Sequence, residues 1–191
     1  MSDLYTGKGD KGMTTFFGSA EQYPKSALRV ESLGVLDELN SFLGFCKVKA
    51  AHVQHPVLHM SMKEVLEQVQ HDLFTAQAEI GGAGERLTEE KVTWLEAQIA
   101  VIEKELPPIT TFFLAGGTEL AALLDVARTI ARRAERRLVS FRHDAAMIGA
   151  EKGRPSGYTI AYLNRLSSLL YACARLVNHL AGEKEPAPTY T

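Results

Sequence analysis

From about Lys25 to Leu180 the apolar residues recur at helical intervals, with no sustained alternation of the strand type. Leu28, Leu36, Leu39, Leu43 and Cys46 fall near one stripe and predict a first helix between Lys25 and about His52. Leu58, Met62, Val65, Leu66, Val69, Leu73 and Ile80 predict a second, closed by Gly81-Gly82. Val92, Leu95, Ile99, Ile102 and Leu106 follow at spacings of 3, 4, 3 and 4, the seam pattern of a bundle. Thr88 is placed to cap this third helix, and Pro107-Pro108 to stop it. A fourth helix is predicted from Thr118, after Gly116-Gly117, through Leu120, Leu124, Ala127, Ala131, Ala134 and Leu138 to about Arg142. The fifth spans roughly Thr159 to Leu180, with Ile160, Leu163, Leu166, Leu170, Cys173 and Val177 inward. Gly149, Gly153, Pro155 and Gly157 mark the loop between the last two. Five long helices with short connections predict an all-α fold, a five-helix bundle. The expected organisation is a single domain over residues 1–191: a Gly-rich arm at 1–24, the bundle at 25–181 and a tail at 182–191.

Composition changes this picture little. The chain has 191 residues, 46% hydrophobic and 23% charged, which is ordinary for a globular domain with a real core. A net charge of −2 argues against general nucleic-acid binding. Cys46 and Cys173 are isolated in apolar surroundings, which predicts buried thiols rather than a disulfide framework. No apolar run approaches the ~20 residues that a membrane span needs. The polar, Gly-rich N-terminus does not read as a signal peptide. A cytoplasmic location is expected, with an organelle matrix as the alternative.

The stretch "TGKGDKG", residues 6–12, sets Gly7, Gly9 and Gly12 in the pattern G-x-G-x-x-G. A dinucleotide fingerprint must follow a strand and open a helix. Only six residues precede Gly7, "MTTFFG" follows Gly12, and no strand–helix alternation appears later, so that fold is excluded. A Walker loop fails as well, because no G-K-[ST] ends the stretch. Backbone N–H groups of a Gly-rich loop can still converge on an anion. Lys8 and Lys11 add charge there, and Thr6, Thr14 and Thr15 add hydroxyl donors. The plainer reading is an N-terminal arm with turn-forming residues.

Charge is concentrated on the fourth helix. Arg128, Arg132, Arg133, Arg136, Arg137 and Arg142 lie within fifteen residues, with Asp125 and Glu135 the only acids from Asp125 to Arg142. Arg128, Arg132 and Arg136 are spaced i, i+4, i+8 and share one face; Arg133 and Arg137 form an adjacent row. Guanidinium forks suit phosphate oxygens, since they donate planar paired hydrogen bonds and keep their charge. A solvated basic face is the bland alternative. Glu135, three residues past Arg132, is placed to pair with it. On the fifth helix Asn164 falls close to the core-facing row and needs partners, either in a helix–helix hydrogen bond or in a ligand contact. The histidines do not support a metal cage: His52, His55, His59, His71, His143 and His179 show no paired E-x-x-H motifs.

Four segments, in order, carry a family likeness: "YTGKGDKGMT", "VESLGVLDELNSFLG", "FFLAGGTELAALLDVARTIARRAER" and "YLNRLSSLLYACAR". With them the chain resembles the PduO-type ATP:cob(I)alamin adenosyltransferases, also called ATP:corrinoid adenosyltransferases, over nearly its whole length. The resemblance implies a five-helix bundle assembled as a homotrimer with active sites between subunits. ATP would lie under the N-terminal loop and against the arginine helix. Co(I) of a reduced corrinoid would attack the 5′ carbon of ATP, releasing triphosphate, with Mg²⁺ on the phosphates. It further implies Thr6, Gly7, Lys8, Gly9, Thr14, Thr15 and Lys25 as the ATP loop. Arg132, Arg133, Glu135 and Arg136 match the nucleotide-binding helix, and Asn164 the nucleotide-binding asparagine. Asp37 and Arg128 match an acid and an arginine that pair across the subunit interface. Catalytic roles are thus expected for Arg128, Arg132, Glu135 and Asp37. Phe112 matches an aromatic at the lower face of the corrin, and Phe113 is a neighbour able to share that role.

A corrinoid reductase and an adenosylcobalamin-dependent enzyme would be natural partners; nucleic acid and membrane would not. The sequence departs from the family's commoner pattern at Lys8, at Ala115, where "LPGG" is common, and at Ser168, where many relatives have Asp. Two other classes remain to be weighed: a carrier that binds ATP and corrinoid with little turnover, and a helical interaction scaffold.

Overall fold

A computed structural model describes residues 4–16, 18–53, 60–147, 149 and 152–190. Leu58, His55 and His59 therefore lie outside the described residues, as does the His52 side chain. The described chain forms a short antiparallel hairpin, β1 (Met13–Thr15) with β2 (Gln22–Pro24), and then five helices. These are α1 (Leu28–Lys49), α2 (Met62–Gly81), α3 (Glu89–Glu105), α4 (Glu119–Met147) and α5 (Gly157–Leu180), with a 3-10 turn at Ala50–His52. The hairpin register pairs Met13 with Pro24, Thr14 with Tyr23 and Thr15 with Gln22.

Local chemistry sets the helix ends. α2 starts with a reciprocal capping box: Ser61 Oγ accepts from Glu64 N at 3.2 Å, and Glu64 Oε2 accepts from Ser61 N at 2.6 Å. It ends at Gly82, whose φ of +89° only glycine adopts cheaply, with Ala83 N donating to Ala78 O at 2.9 Å. Ser156 caps α5, accepting from Thr159 N at 3.1 Å. Thr118 caps α4, accepting from Ala121 N at 3.2 Å.

Three boundaries and one cap differ from the sequence expectation. α1 begins at Leu28, because Pro24 to Ala27 closes a turn, with Ala27 N donating to Pro24 O at 2.9 Å. α2 begins at Met62, set by the Ser61 cap. Thr88 does not cap α3 through its side chain; its hydroxyl instead bonds Glu90, the main reason that carboxyl lies below its ordinary range. α4 runs on past Arg142 to Met147, because Phe141 and Ala145 continue its buried stripe beyond Leu138.

α4 packs against α5 and α1, α1 against α2, and α3 against α5. Ala127, Ala131 and Ala134 are fully buried, so the α4 backbone approaches its neighbours closely. Leu36, Leu39 and Leu43 face Leu66, Val69 and Leu73 in one continuous core with Leu163, Leu166 and Leu170. Both cysteines are in that core: burial pushes the Cys46 thiol up to about 11 and the Cys173 thiol up to about 12. Buried carboxylates stitch the helices together. Asp72 accepts from Tyr162 Oη at 3.1 Å and Gln68 Nε2 at 2.9 Å, with Lys91 Nζ 2.8 Å away. Glu79 accepts from Ser156 N at 2.7 Å and from the Thr159 hydroxyl, at the positive end of α5. Among the described residues no helix is long and apolar enough to cross a membrane.

Candidate active site

The first half of α4, the middle of α5, the end of α3 and the irregular segment from Leu106 to Ala115 surround a cavity of about 1240 Å³. That exceeds the ~300–1,000 Å³ usual for small-molecule sites. Arg128 and Arg132, one turn apart on α4, form part of its wall. Phe112 and Phe113 form another part, and Ser168 and Tyr171 line it from α5. Phe112 is 79% exposed, whereas Phe113 is half-buried. The cavity therefore combines fixed positive charge with an unsatisfied aromatic face.

The arginine helix divides its work. Arg133 forms an ion pair with Glu38 of α1, and Arg137 lies 3.7 Å from Glu31. Those pairs are exposed, so each contributes ~0–1 kcal/mol at most. Arg136 is exposed and does not line the cavity. Glu135 does not take Arg132 as its partner in the way its i+3 spacing suggested. It accepts from Asn164 Nδ2 at 3.0 Å, and Asn164 Oδ1 accepts from Arg165 at 2.7 Å. Arg165 reaches on to Glu96 of α3 at 2.8 Å. Asn164 thus makes a helix–helix hydrogen bond, held half-buried at the α4–α5 contact.

On the α4–α5 side of the cavity, Asp125 and Arg175 belong to a cluster that the sequence does not reveal. Arg175, 3% exposed, donates to Asp125 Oδ2 at 2.6 Å. Asp125 Oδ1 accepts from Arg128 Nε at 3.2 Å, so one buried carboxylate serves two arginines. The Nε of Arg175 lies 2.9 Å from Glu185 Oε1, an ionic contact whose N–H direction misses the carboxylate. The guanidinium also sits over Tyr171 at 4.9 Å and Phe113 at 5.9 Å. The one available sequence signal was a lone arginine inside "YACARLV", where a helix should be apolar.

The Gly-rich arm lies elsewhere. Gly7 and Gly12 have φ of +67° and +77°, and the turns close with Asp10 N on Gly7 O and Gly12 N on Gly9 O. Thr6, Lys8, Thr15 and Lys25 are exposed, and Thr14 is half-buried. Lys25 Nζ would lie 3.1 Å from a Cβ at Gly9, so its ammonium sits beside the loop, and Lys25 N donates to Gly12 O at 2.9 Å.

At the base of the hairpin is Arg29, also missed from sequence. It is buried against the Phe16 ring at 4.0 Å and the Tyr23 ring at 5.3 Å, and donates to Ile80 O at 2.8 Å. No arm residue lines the cavity. α1 and α4 run antiparallel, with Glu31 near Arg137 and Lys49 2.8 Å from Glu119. The arm therefore hangs near the level of Arg137, about 14 Å along α4 from Arg128. Asp37 is exposed on α1, while Arg128 takes Asp125 as its partner within the chain.

The family model for cobalamin adenosyltransferase matches residues 4–177. A corrinoid adenosyltransferase of Bacillus subtilis is 40% identical over 183 residues, covering 94% of this chain and 88% of its own. The corrinoid adenosyltransferase PduO of Citrobacter freundii is 36% identical over 92% of this chain, which spans 50% of that longer relative. Among solved structures, a phenylalanine-to-alanine variant of the PduO-type ATP:corrinoid adenosyltransferase of Lactobacillus reuteri, complexed with cobalamin and ATP, superimposes with a TM-score of 0.82 at 30% identity. The match covers 98% of this chain and 100% of that one.

Proposed function

The chain belongs to the cobalamin adenosyltransferase family and is an ATP:corrinoid adenosyltransferase, and we propose that the cavity between α3, α4 and α5 is where its two substrates meet. The observation that carries this reading is the placement of Arg128 and Arg132 on the same cavity as Phe112. In the transfer, the electron pair of Co(I) forms a bond to the 5′ carbon of ATP. The C5′–O bond breaks, and triphosphate leaves with that bond's electrons. The nucleophile belongs to the corrinoid, so no Ser, Cys or Lys nucleophile is needed. The protein aligns the ribose with cobalt and stabilises charge on the leaving polyanion.

Arg132 is exposed on the cavity wall and has no carboxylate partner among the described residues, so its fork is directed to the triphosphate. Arg128, held by Asp125, is the orienting arginine and meets Asp37 of a neighbouring copy. The Glu135–Asn164 pair presents a preformed hydrogen-bonding edge to the nucleotide. Arg133 and Arg136 extend the positive field along the helix. Phe112 packs at the lower face of the corrin and excludes the lower nitrogenous ligand. Without that ligand the acceptor orbital of Co(II) falls, and reduction to Co(I) is easier. Phe113, tied up beside Arg175, supports it from behind.

The arm's distance from the cavity of its own chain favours a homotrimer in which Thr6, Gly7, Lys8, Gly9, Thr14, Thr15 and Lys25 of one copy close over ATP bound to the next. No three His, Cys, Asp or Glu side chains converge on a metal position among the described residues. Mg²⁺ is assigned to the ATP phosphates, where it can keep several of its waters. A cytoplasmic location, supply of Co(I) by a corrinoid reductase and delivery to an adenosylcobalamin-dependent enzyme complete the proposal.

The test is direct. Purified protein with ATP, Mg²⁺ and chemically reduced cob(I)alamin should form a light-sensitive cobalt–carbon product and triphosphate. Tight adenosylcobalamin binding without turnover would instead support the carrier reading, for which Ser168 on the cavity wall is the specific hint.

A further inference from the structure

The segment that carries Phe112 has no regular secondary structure between Pro107 and Gly117. Its backbone is tied down from behind. Leu114 N donates to Pro186 O of the C-terminal tail at 2.9 Å, and Gly116 O accepts from Asn178 Nδ2 at 2.9 Å. Asn178 is fully buried on α5 and is itself fixed on every side. Its Oδ1 accepts from Thr118 N at 2.9 Å and Thr118 Oγ1 at 3.1 Å, and its Nδ2 also donates to Glu185 Oε1 at 2.7 Å. A Cβ at Gly117 would stand 2.5 Å from Asn178 Oδ1, so the turn and the amide fit only with glycine there.

Glu185 joins two systems at one oxygen. It accepts from Asn178, which holds the turn, and it sits against Arg175, which shares Asp125 with Arg128. The buried Arg175 and the half-buried Arg128 are matched by two carboxylates, one of them supplied by the tail. Phe113 rests over the same guanidinium. Removing Glu185 frees one donor of Asn178 and leaves the Arg175 charge short of a partner in a buried place. Both changes loosen the back of the aromatic wall and leave the ATP-facing residues of the arm untouched.

We propose that Glu185, from the C-terminal tail, is a positioning residue for the corrinoid: it fixes the segment that presents Phe112 to the lower face of the corrin. This rests on the assignment of Phe112 to that face.

The test compares Glu185→Ala, Glu185→Gln and Phe112→Ala in the full chain. In Glu185→Ala the KM for cob(I)alamin should rise at least threefold while the KM for ATP stays within twofold, which also reports that the bundle has folded. With cob(II)alamin and ATP, the electron paramagnetic resonance signal of four-coordinate Co(II) should fall by at least half. Glu185→Gln keeps an acceptor for Asn178 and should give a four-coordinate signal between those of Glu185→Ala and the unmodified chain; should the alanine variant fail to fold, that intermediate fall carries the comparison. If Phe112→Ala moves the Co(II) signal and neither Glu185 variant does, the tail's role is overturned alone. If none of the three moves it, the assignment of Phe112 falls, and the tail's role with it.

Discussion

The cavity wall and the Gly-rich arm are built on opposite principles. The wall is prepared from within: Asp125 and Arg175 are buried, Arg128 is held by Asp125, and the turn at Gly117 closes on Asn178. The arm is exposed along Thr6 to Lys8 and is gripped at its base, where Arg29 lies against Phe16 and Tyr23. A wall of this kind costs desolvation at folding and needs little rearrangement when substrate arrives. An arm of the other kind holds its backbone donors in exposed local turns, which can be exchanged for a phosphate when one binds. A reaction that must admit a bulky corrinoid and then release a charged triphosphate uses both, a fixed half and a half that can close.

The comparison breaks most readily at the buried charges. Arg175→Met strands Asp125 and Glu185 with reduced compensation, and urea unfolding should show a loss of about 3–5 kcal/mol. A loss under 1 kcal/mol would mean that the wall is no more built than the arm. Arg132→Ala should reduce turnover at least tenfold with little change in the melting temperature, because the side chain is exposed; wild-type turnover would remove its proposed charge role. Arg29→Ala should act on the arm instead, raising the KM for ATP several-fold while the KM for corrinoid stays put. A matched rise in both would show that Arg29 supports the bundle in general.

The smallest effect concerns the thiols. Both are raised by burial, Cys46 to about 11 and Cys173 to about 12, from an ordinary value of 9.0. The folded chain thus retains protons that the unfolded chain has lost. Their contribution is intact below pH 9.0 and declines as pH rises toward about 11 and 12, by up to about 1.4 kcal/mol per pH unit per thiol. Cys173→Ala should flatten the upper part of that decline in pH-dependent unfolding. At pH 8 neither thiol of the native protein should react with iodoacetamide.

Much of the fold is legible in the sequence because helical stripes are local. Leu36, Leu39 and Leu43 announce α1 without any knowledge of what they touch, and all three are fully buried. The hairpin was not legible: Met13–Thr15 and Gln22–Pro24 are three residues each, too short for alternation to register. The last turns of α4 were hidden because His143 and Asp144 look like an ending, while Phe141 and Ala145 continue the buried face.

At the site, the arginines were visible as a run, but their division was not. Whether Arg133 turns to Glu38 or to a ligand depends on where α1 lies, some ninety residues earlier in the chain. Asp125, Arg175, Asn178 and Glu185 escaped for the same reason. Each is a single polar residue among apolar or loop neighbours, and its meaning resides in a partner that periodicity cannot locate. The likeness of four segments to a known family named site residues that spacing alone left open, but it did not reach Arg29 or the tail.

The arrangement of Arg128, Asp125, Arg175 and Glu185 also bears on how such a chain drifts over generations. Two positive and two negative side chains are clustered on one largely buried wall of the cavity. A neutral replacement of any one leaves an odd charge, so single changes there are expected to cost more than paired ones. Viable lineages are expected to change these positions in compensating pairs, tying the evolutionary rate of the tail to that of α4 and α5.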